Sequence, residues 1–246
     1  MNKMFLSVLF SLVLGLISQS SSASLEDIPL TITEINETKI AWMEMGDPEG
    51  PPLLMIQGLG VSHKVWGEKF TEMLVAKGYR VIIFDNRDVG QSQRYDADGN
   101  PVILWNLLKN KLGFDVTTSY SLKDMAKDAV GILDHLNLKD AHILGASMGG
   151  MIAQTLVIEY PERARSLISI MSSSGAEHLP APSTESSDKI NDLADTSDAE
   201  RFAELNDKGL YPQAIPRQYM AIVDSGDRSP ELNKIRTRTL VLHGKD

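Results

Sequence analysis

The 246-residue chain is 42% hydrophobic and 23% charged, with 33 acidic against 24 basic side chains and no cysteine. These are the proportions of a folded globular protein long enough for one large core. A net charge of −9 leaves no basic surplus for nucleic-acid phosphates. The lack of Cys excludes disulfides, thiolate nucleophiles and Cys-bound zinc or iron–sulfur clusters, and five His with no His-x-x-x-His pair make a metal site an unsupported expectation.

Lys3 precedes an apolar run, Met4–Ile17, followed by small polar residues through Ser24. That order predicts a signal peptide over residues 1–23, cleaved after Ala23, and a protein exported to the periplasm or the medium. Fourteen residues fall short of the roughly 20 that span a bilayer, so no stable membrane anchor is expected. Removing residues 1–23 takes away Lys3 alone among the charged side chains and leaves 23 basic against 33 acidic, a net of −10.

Residues 24–246 are expected to form the folded domain. Leu30–Ile35 and Lys39–Met45 flank Asn36-Glu37 and predict an antiparallel hairpin. The runs Leu53–Ile56, Val81–Phe84, Ala141–Leu144, Leu167–Ile170 and Thr239–His243 are short and mostly apolar, as in parallel strands buried on both faces. Helices are expected at Val65–Lys77, before Gly78, from Ser121 to about Leu136, and at Met148–Tyr160, before Pro161. Ser121-Leu122-Lys123-Asp124 reads as a capping box with Asp in place of Glu or Gln. This alternation predicts a doubly wound α/β sheet, mostly parallel, with an N-terminal antiparallel hairpin. Residues 180–238 break the rhythm and are read as a helical cap inserted between the sixth and seventh strands.

Gly145-Ala146-Ser147-Met148-Gly149 sits between a strand and a helix, the setting a nucleophile elbow requires. The turn projects the Ser147 hydroxyl above the sheet, and side chains at 145 or 149 would collide with the neighbouring strand and helix. The helix N-terminus supplies N–H groups where an oxyanion forms. Gln57-Gly58-Leu59-Gly60, directly after a strand, brings a second backbone donor close, so the Leu59 and Met148 N–H groups are the candidate oxyanion hole. Gly58-Leu59-Gly60 lacks the third glycine of a dinucleotide loop, and no Walker A pattern occurs. Asp96–Asn100 does not match a calcium loop and is expected to be a solvated turn.

Together with Asp85–Ser92 (DNRDVGQS) after the strand Val81–Phe84, the segments QGLG and GASMGG in this order resemble the α/β-hydrolase-fold serine esterases. Within that superfamily they are most similar to the aclacinomycin-methylesterase-type group, over about Ile40 to His243. The resemblance implies a carboxylic ester hydrolase acting on a small-molecule ester through Ser147, with no metal or organic cofactor, and a structural role for Asp85 and Arg87. A thioesterase, lactonase or C–C hydrolase on the same fold, and a non-catalytic hydrolase-fold binding protein, remain alternatives. Dehalogenases and epoxide hydrolases need a carboxylate where Ser147 stands.

A nucleophilic serine needs a base and an orienting acid, which follow it in this fold as acid and then His. The family's acid lies on a G-x-x-D loop after the strand Thr239–His243. The chain reads Gly244-Lys245-Asp246, one residue short of that register. The catalytic acid and base are therefore expected beyond Asp246, in a chain truncated at its C-terminus. None of His63, His135, His142, His178 or His243 is expected to serve, and the sequence does not determine oligomeric state.

Overall fold

A computed structural model describes residues 28–176, 178–179 and 199–244. The expected signal peptide, the start of the expected cap and Asp246 lie outside the described residues.

Strands β1 (Thr31–Ile35) and β2 (Thr38–Met45) pair antiparallel around Asn36 and Glu37, whose φ angles of 51° and 61° are the two left-handed residues of a tight hairpin. Five further strands follow: β3 (Pro52–Ile56), β4 (Arg80–Phe84), β5 (Ala141–Ala146), β6 (Ala164–Ile170) and β7 (Arg238–Leu242). The sheet order is β1-β2-β4-β3-β5-β6-β7. β2 meets β4 antiparallel, and every pairing from β4 through β7 is parallel. The expected mostly parallel sheet with an antiparallel N-terminal hairpin is what the chain forms.

The α-helices are α1 (Glu68–Ala76), α2 (Ile103–Lys111), α3 (Leu122–His135), α4 (Met148–Glu159), α5 (Ala199–Asp207), α6 (Ile215–Ser225) and α7 (Ser229–Leu232). Successive residues of a strand point to opposite faces, and β3 shows both sides of the core. Leu54 and Ile56 join Ile132 and Leu133 of α3 and Ile152 and Leu156 of α4. Leu53 and Met55 face the other way, toward Phe70 and Leu74 of α1. Complete burial of such aliphatic side chains contributes about 1.5–3 kcal/mol each. The capping box is present: Ser121 Oγ accepts the Asp124 N–H, and the Asp124 carboxylate accepts the Ser121 N–H at 2.8 Å.

Three elements depart from expectation. The helix expected over Val65–Lys77 is a 3₁₀ turn, His63–Trp66, and then α1, because Gly67 between them adopts φ 67° and ψ 148°. Strand β7 is exposed at all five positions: it is the edge strand of the described sheet, and β6 is the one described element in substantial contact with it, so neither of its faces is covered by a packed helix among the described residues. Helix α2 matches no expected element, and its outward face is apolar. The described part of the region expected as a cap, residues 199–232, carries α5, α6 and α7 between β6 and β7.

Candidate active site

Strand β5 hands the chain to α4 through Ser147, which is held at φ 55° and ψ −122°. A left-handed φ is costly for a residue with a Cβ and persists only where its surroundings enforce it. The enforcement is visible in the backbone. The Ser147 N–H donates to the Ile170 carbonyl at 2.9 Å, which ties the turn to the end of β6. A Cβ on Gly149 would enter the carbonyl oxygens of Ile56 and Gln57, and one on Gly145 would enter the Gly149 carbonyl. Both glycines are thus required by close backbone approach. Ser147 is half-buried, and its Oγ makes no hydrogen bond among the described residues.

The loop after β3 lies directly against this turn. A Cβ on Gly58 would stand 3.2 Å from Ser147 Cβ and 3.7 Å from its Oγ. Gln57 Nε2 donates to the Phe84 carbonyl at 2.5 Å, and Asn86 Nδ2 donates back to the Gln57 carbonyl at 3.0 Å, which fixes the start of the loop. Its far side is stitched to the segment entering α6. The Gly60 N–H donates to Gln218 Oε1 at 2.7 Å, the Tyr211 N–H to the Gly60 carbonyl at 2.6 Å, and the Ser62 N–H to the Gly209 carbonyl at 2.8 Å. Val61 and Leu210 form an antiparallel bridge between the two segments. The Leu59 N–H meets no acceptor among the described residues. Met148, as the first residue of α4, has an N–H without an intrahelical acceptor. The two N–H groups expected to form the oxyanion hole therefore belong to the two segments that flank Ser147.

The loop after β4 is a buried polar lattice. Asp85 Oδ1 accepts the His63 N–H and faces His63 Nδ1, both at 2.8 Å, while its Oδ2 accepts the Gln91 N–H at 2.9 Å. Gly90, at φ 58°, leaves no room for a Cβ beside that carboxylate. Arg87 grips Asp128 of α3 through Nε at 2.5 Å and a terminal nitrogen at 2.8 Å. Burial alone would lower the pKa of Arg87, but the Asp128 carboxylate outweighs it and the guanidinium is held more firmly protonated than usual. Asp85 and Arg87 thus hold the loop together, as expected. Asp88 receives a second bidentate pair from Arg217 of α6, at 2.5 and 2.9 Å, and the Tyr120 hydroxyl at 2.9 Å. Burial, with Asp88 alongside, raises the Tyr120 pKa far above its usual value. Asp96 and Asn100, expected in a solvated turn, also accept hydrogen bonds from Arg217, so that turn is tied to α6. Sequence reading missed Asp128, Gln218 and Arg217, whose partners lie far along the chain; their residue types inside amphipathic helices were the sole local signal.

The described histidines stand in other contexts. His63 is locked to Asp85, and His135 packs edge-on to Trp42. His142 bonds Ser166 at 2.8 Å and meets the Tyr79 ring; burial, with Arg165 nearby, lowers its pKa. His178 and His243 are exposed. None of them hydrogen-bonds to Ser147. No group of three metal-ligating side chains occurs among the described residues.

A family model described as the alpha/beta hydrolase fold matches residues 51–234. Rhodomycin D methylesterase DnrP of Streptomyces peucetius is 38% identical over 133 residues, which are 54% of this chain and 39% of that protein, so the match spans well under half of the relative's length. An esterase from Exiguobacterium antarcticum superposes with a TM-score of 0.64 at 21% identity, covering 87% of this chain and 81% of that one. A hydrolase from Pseudomonas aeruginosa gives 0.63 at 20%, covering 87% and 80%. At those identities the two structures share the fold alone with this chain.

Proposed function

The chain belongs to the α/β hydrolase fold family, and from that premise we propose that it is a serine hydrolase of carboxylic esters that works through an acyl-enzyme on Ser147. The observation that carries the reading is the strained left-handed Ser147 between β5 and α4, with the Gly58 loop against its side chain. A residue is kept in such a conformation where its side chain must be presented, and here what is presented is a hydroxyl with no hydrogen bond among the described residues.

In this reading Ser147 Oγ attacks the ester carbonyl carbon. The Leu59 and Met148 N–H groups receive the charge that develops on the carbonyl oxygen, each such donor being worth about 10²–10³ in kcat. The proton of Ser147 passes to a histidine which, in the chain order of this fold, follows β7 and its acidic partner. That proton then leaves with the alcohol, and water hydrolyses the acyl group from Ser147. The likeness to a methylesterase supports an ester of a small or medium hydrophobic acid or alcohol. The helices at 199–232, stitched to the Gly60 segment, would roof the pocket and set its selectivity. The composition of residues 1–23 supports export to the periplasm or the medium.

A fluorophosphonate probe tests the assignment. The full-length protein, carrying the acid and histidine expected after β7, is expected to be labelled stoichiometrically, and Ser147→Ala is expected to lose both labelling and hydrolysis of short p-nitrophenyl esters. Undiminished labelling of Ser147→Ala would overturn it.

A further inference from the structure

Helix α2 and the turn after it present an apolar surface to solvent. Leu104 is 81% exposed, Leu112 64%, Phe114 65% and Trp105 56%, with Val102 and Leu108 beside them. On a helix, 104, 105, 108 and 112 fall on one face, the face that on a water-exposed helix would be polar. The surface is rigidly mounted. Asn106, buried beneath it, donates to the Val102 carbonyl at 3.1 Å and accepts the Thr117 N–H at 2.8 Å, closing the segment on itself. Arg217 holds Asn100 at 3.0 Å, and α2 packs on α6. Trp105, Leu108, Leu112 and Phe114 line a shallow groove of about 390 Å³.

Charge names the occupant. The protein carries −9 overall, yet residues 100–117 hold Lys109 and Lys111 against Asp115, the one acid of that segment, with Asp224 of α6 close to Asp115. An exposed apolar face with an aromatic pair and flanking lysines, on an otherwise acidic molecule, is the composition of a segment that lies in an anionic lipid interface. The alternatives fit less well. Residues 180–198 offer Ile190 and Leu193 as their only large apolar side chains among five acids, too few to cover the face. A second copy related by two-fold symmetry would bring the same lysines into one seam.

We propose that α2 and the turn to Phe114 are a docking surface for an anionic lipid bilayer. Trp105 and Phe114 enter the headgroup boundary, and Lys109 and Lys111 meet lipid phosphates. The surface is independent of the catalytic reading, and Ser147→Ala leaves it unchanged. It also places the helix packed on α6 at the lipid, where esters with apolar chains partition.

The test uses the fluorescence of Trp105, the one exposed tryptophan among the three. Vesicles of brominated phosphatidylcholine mixed with phosphatidylglycerol are expected to quench and blue-shift it, and Trp105→Phe gives the background from Trp42 and Trp66. This local readout separates docking of α2 from partitioning by the apolar run Met4–Ile17. Leu104→Ser with Phe114→Ser is expected to abolish quenching while the circular dichroism spectrum stays unchanged. Lys109→Gln with Lys111→Gln is expected to remove the preference for phosphatidylglycerol over pure phosphatidylcholine, roughly thirty-fold at low salt. Trp105 emission that ignores both vesicle types would overturn the proposal. So would a blue shift that grows with protein concentration in the absence of lipid, which assigns the face to a second copy.

Discussion

Gln218 joins three parts of the molecule that are far apart in sequence, and its removal has a calculable consequence. The side chain is fully buried, accepts the Gly60 N–H at 2.7 Å and donates to the Arg87 carbonyl at 2.9 Å. Gln218→Leu keeps the volume and strands both backbone groups out of water. Each buried orphan costs about 1–3 kcal/mol, and a domain of this size loses about 2–4 °C of melting temperature per kcal/mol, so the melting point should fall by about 10 °C. The catalytic effect is separate. Gln218 holds the Gly60 N–H, and under the proposed mechanism loosening Gly60 lets the neighbouring Leu59 N–H drift from the proposed oxyanion position. The loss of one donor sets the ceiling, a fall in kcat of about 10²–10³. KM for a short p-nitrophenyl ester should barely move, since the carbonyl oxygen gains most of its charge after binding. Thermal denaturation and steady-state kinetics on the same preparation test both halves. A variant that melts as the parent does refutes the burial argument. A variant that melts early yet keeps full kcat refutes the coupling between α6 and the loop.

Gly149→Ala should fail to give a stable fold, because the added Cβ enters the carbonyl oxygen of Ile56, which is main chain and cannot rotate away; a soluble variant with a parental melting curve would contradict this. Stability should also fall above about pH 10. The buried Tyr120, beside Asp88, keeps its proton in the native state to far higher pH than in the unfolded chain, which ionises near 10. The native state then binds more protons than the unfolded state, and unfolding free energy declines as pH rises. Denaturant melts between pH 8 and 11 should show that slope, and Tyr120→Phe should flatten it at the cost of the hydrogen bond to Asp88.

What could be read from the sequence was local. Asn36-Glu37 between two alternating runs specifies a tight turn, Ser121 and Asp124 specify their own cap, and Gly145-x-Ser147-x-Gly149 carries its strand–turn–helix setting within a few residues. Information spread over long separations was not readable. Asp88 and Arg217 are 129 positions apart, and Gly60 and Gln218 are 158. Nothing near either partner says that a charged or amide side chain on α6 will be buried against a loop from the other half of the chain. Strand β7 shows a related limit. Its apolar run specifies a strand, but whether that strand is covered depends on neighbours its own residues do not encode. Helix α2 fails in the opposite way, because a stripe is visible only against a polar background, and its outward face is apolar.

These failures have a common geometry. Helix α2, which no expected element covers, is in contact with α6, a helix of the expected cap whose long-range partners local pattern did not reveal, and α6 carries both residues that reach into the loops around Ser147: Gln218 to Gly60 and Arg87, and Arg217 to Asp88. The sheet and its elbow present a hydroxyl wherever that strand–turn–helix pattern is met. The region from 209 to 218 then determines how the Gly60 segment is held beside it, through two hydrogen bonds to Gly60 and a buried ion pair to the loop after β4. A substitution in α6 therefore acts on the Gly60 segment, the oxyanion side in the proposed mechanism, without touching Ser147. Under the proposed function, changes of selectivity are to be sought among residues 209–218 before the elbow, where glycine is required by backbone contact and leaves no room for variation.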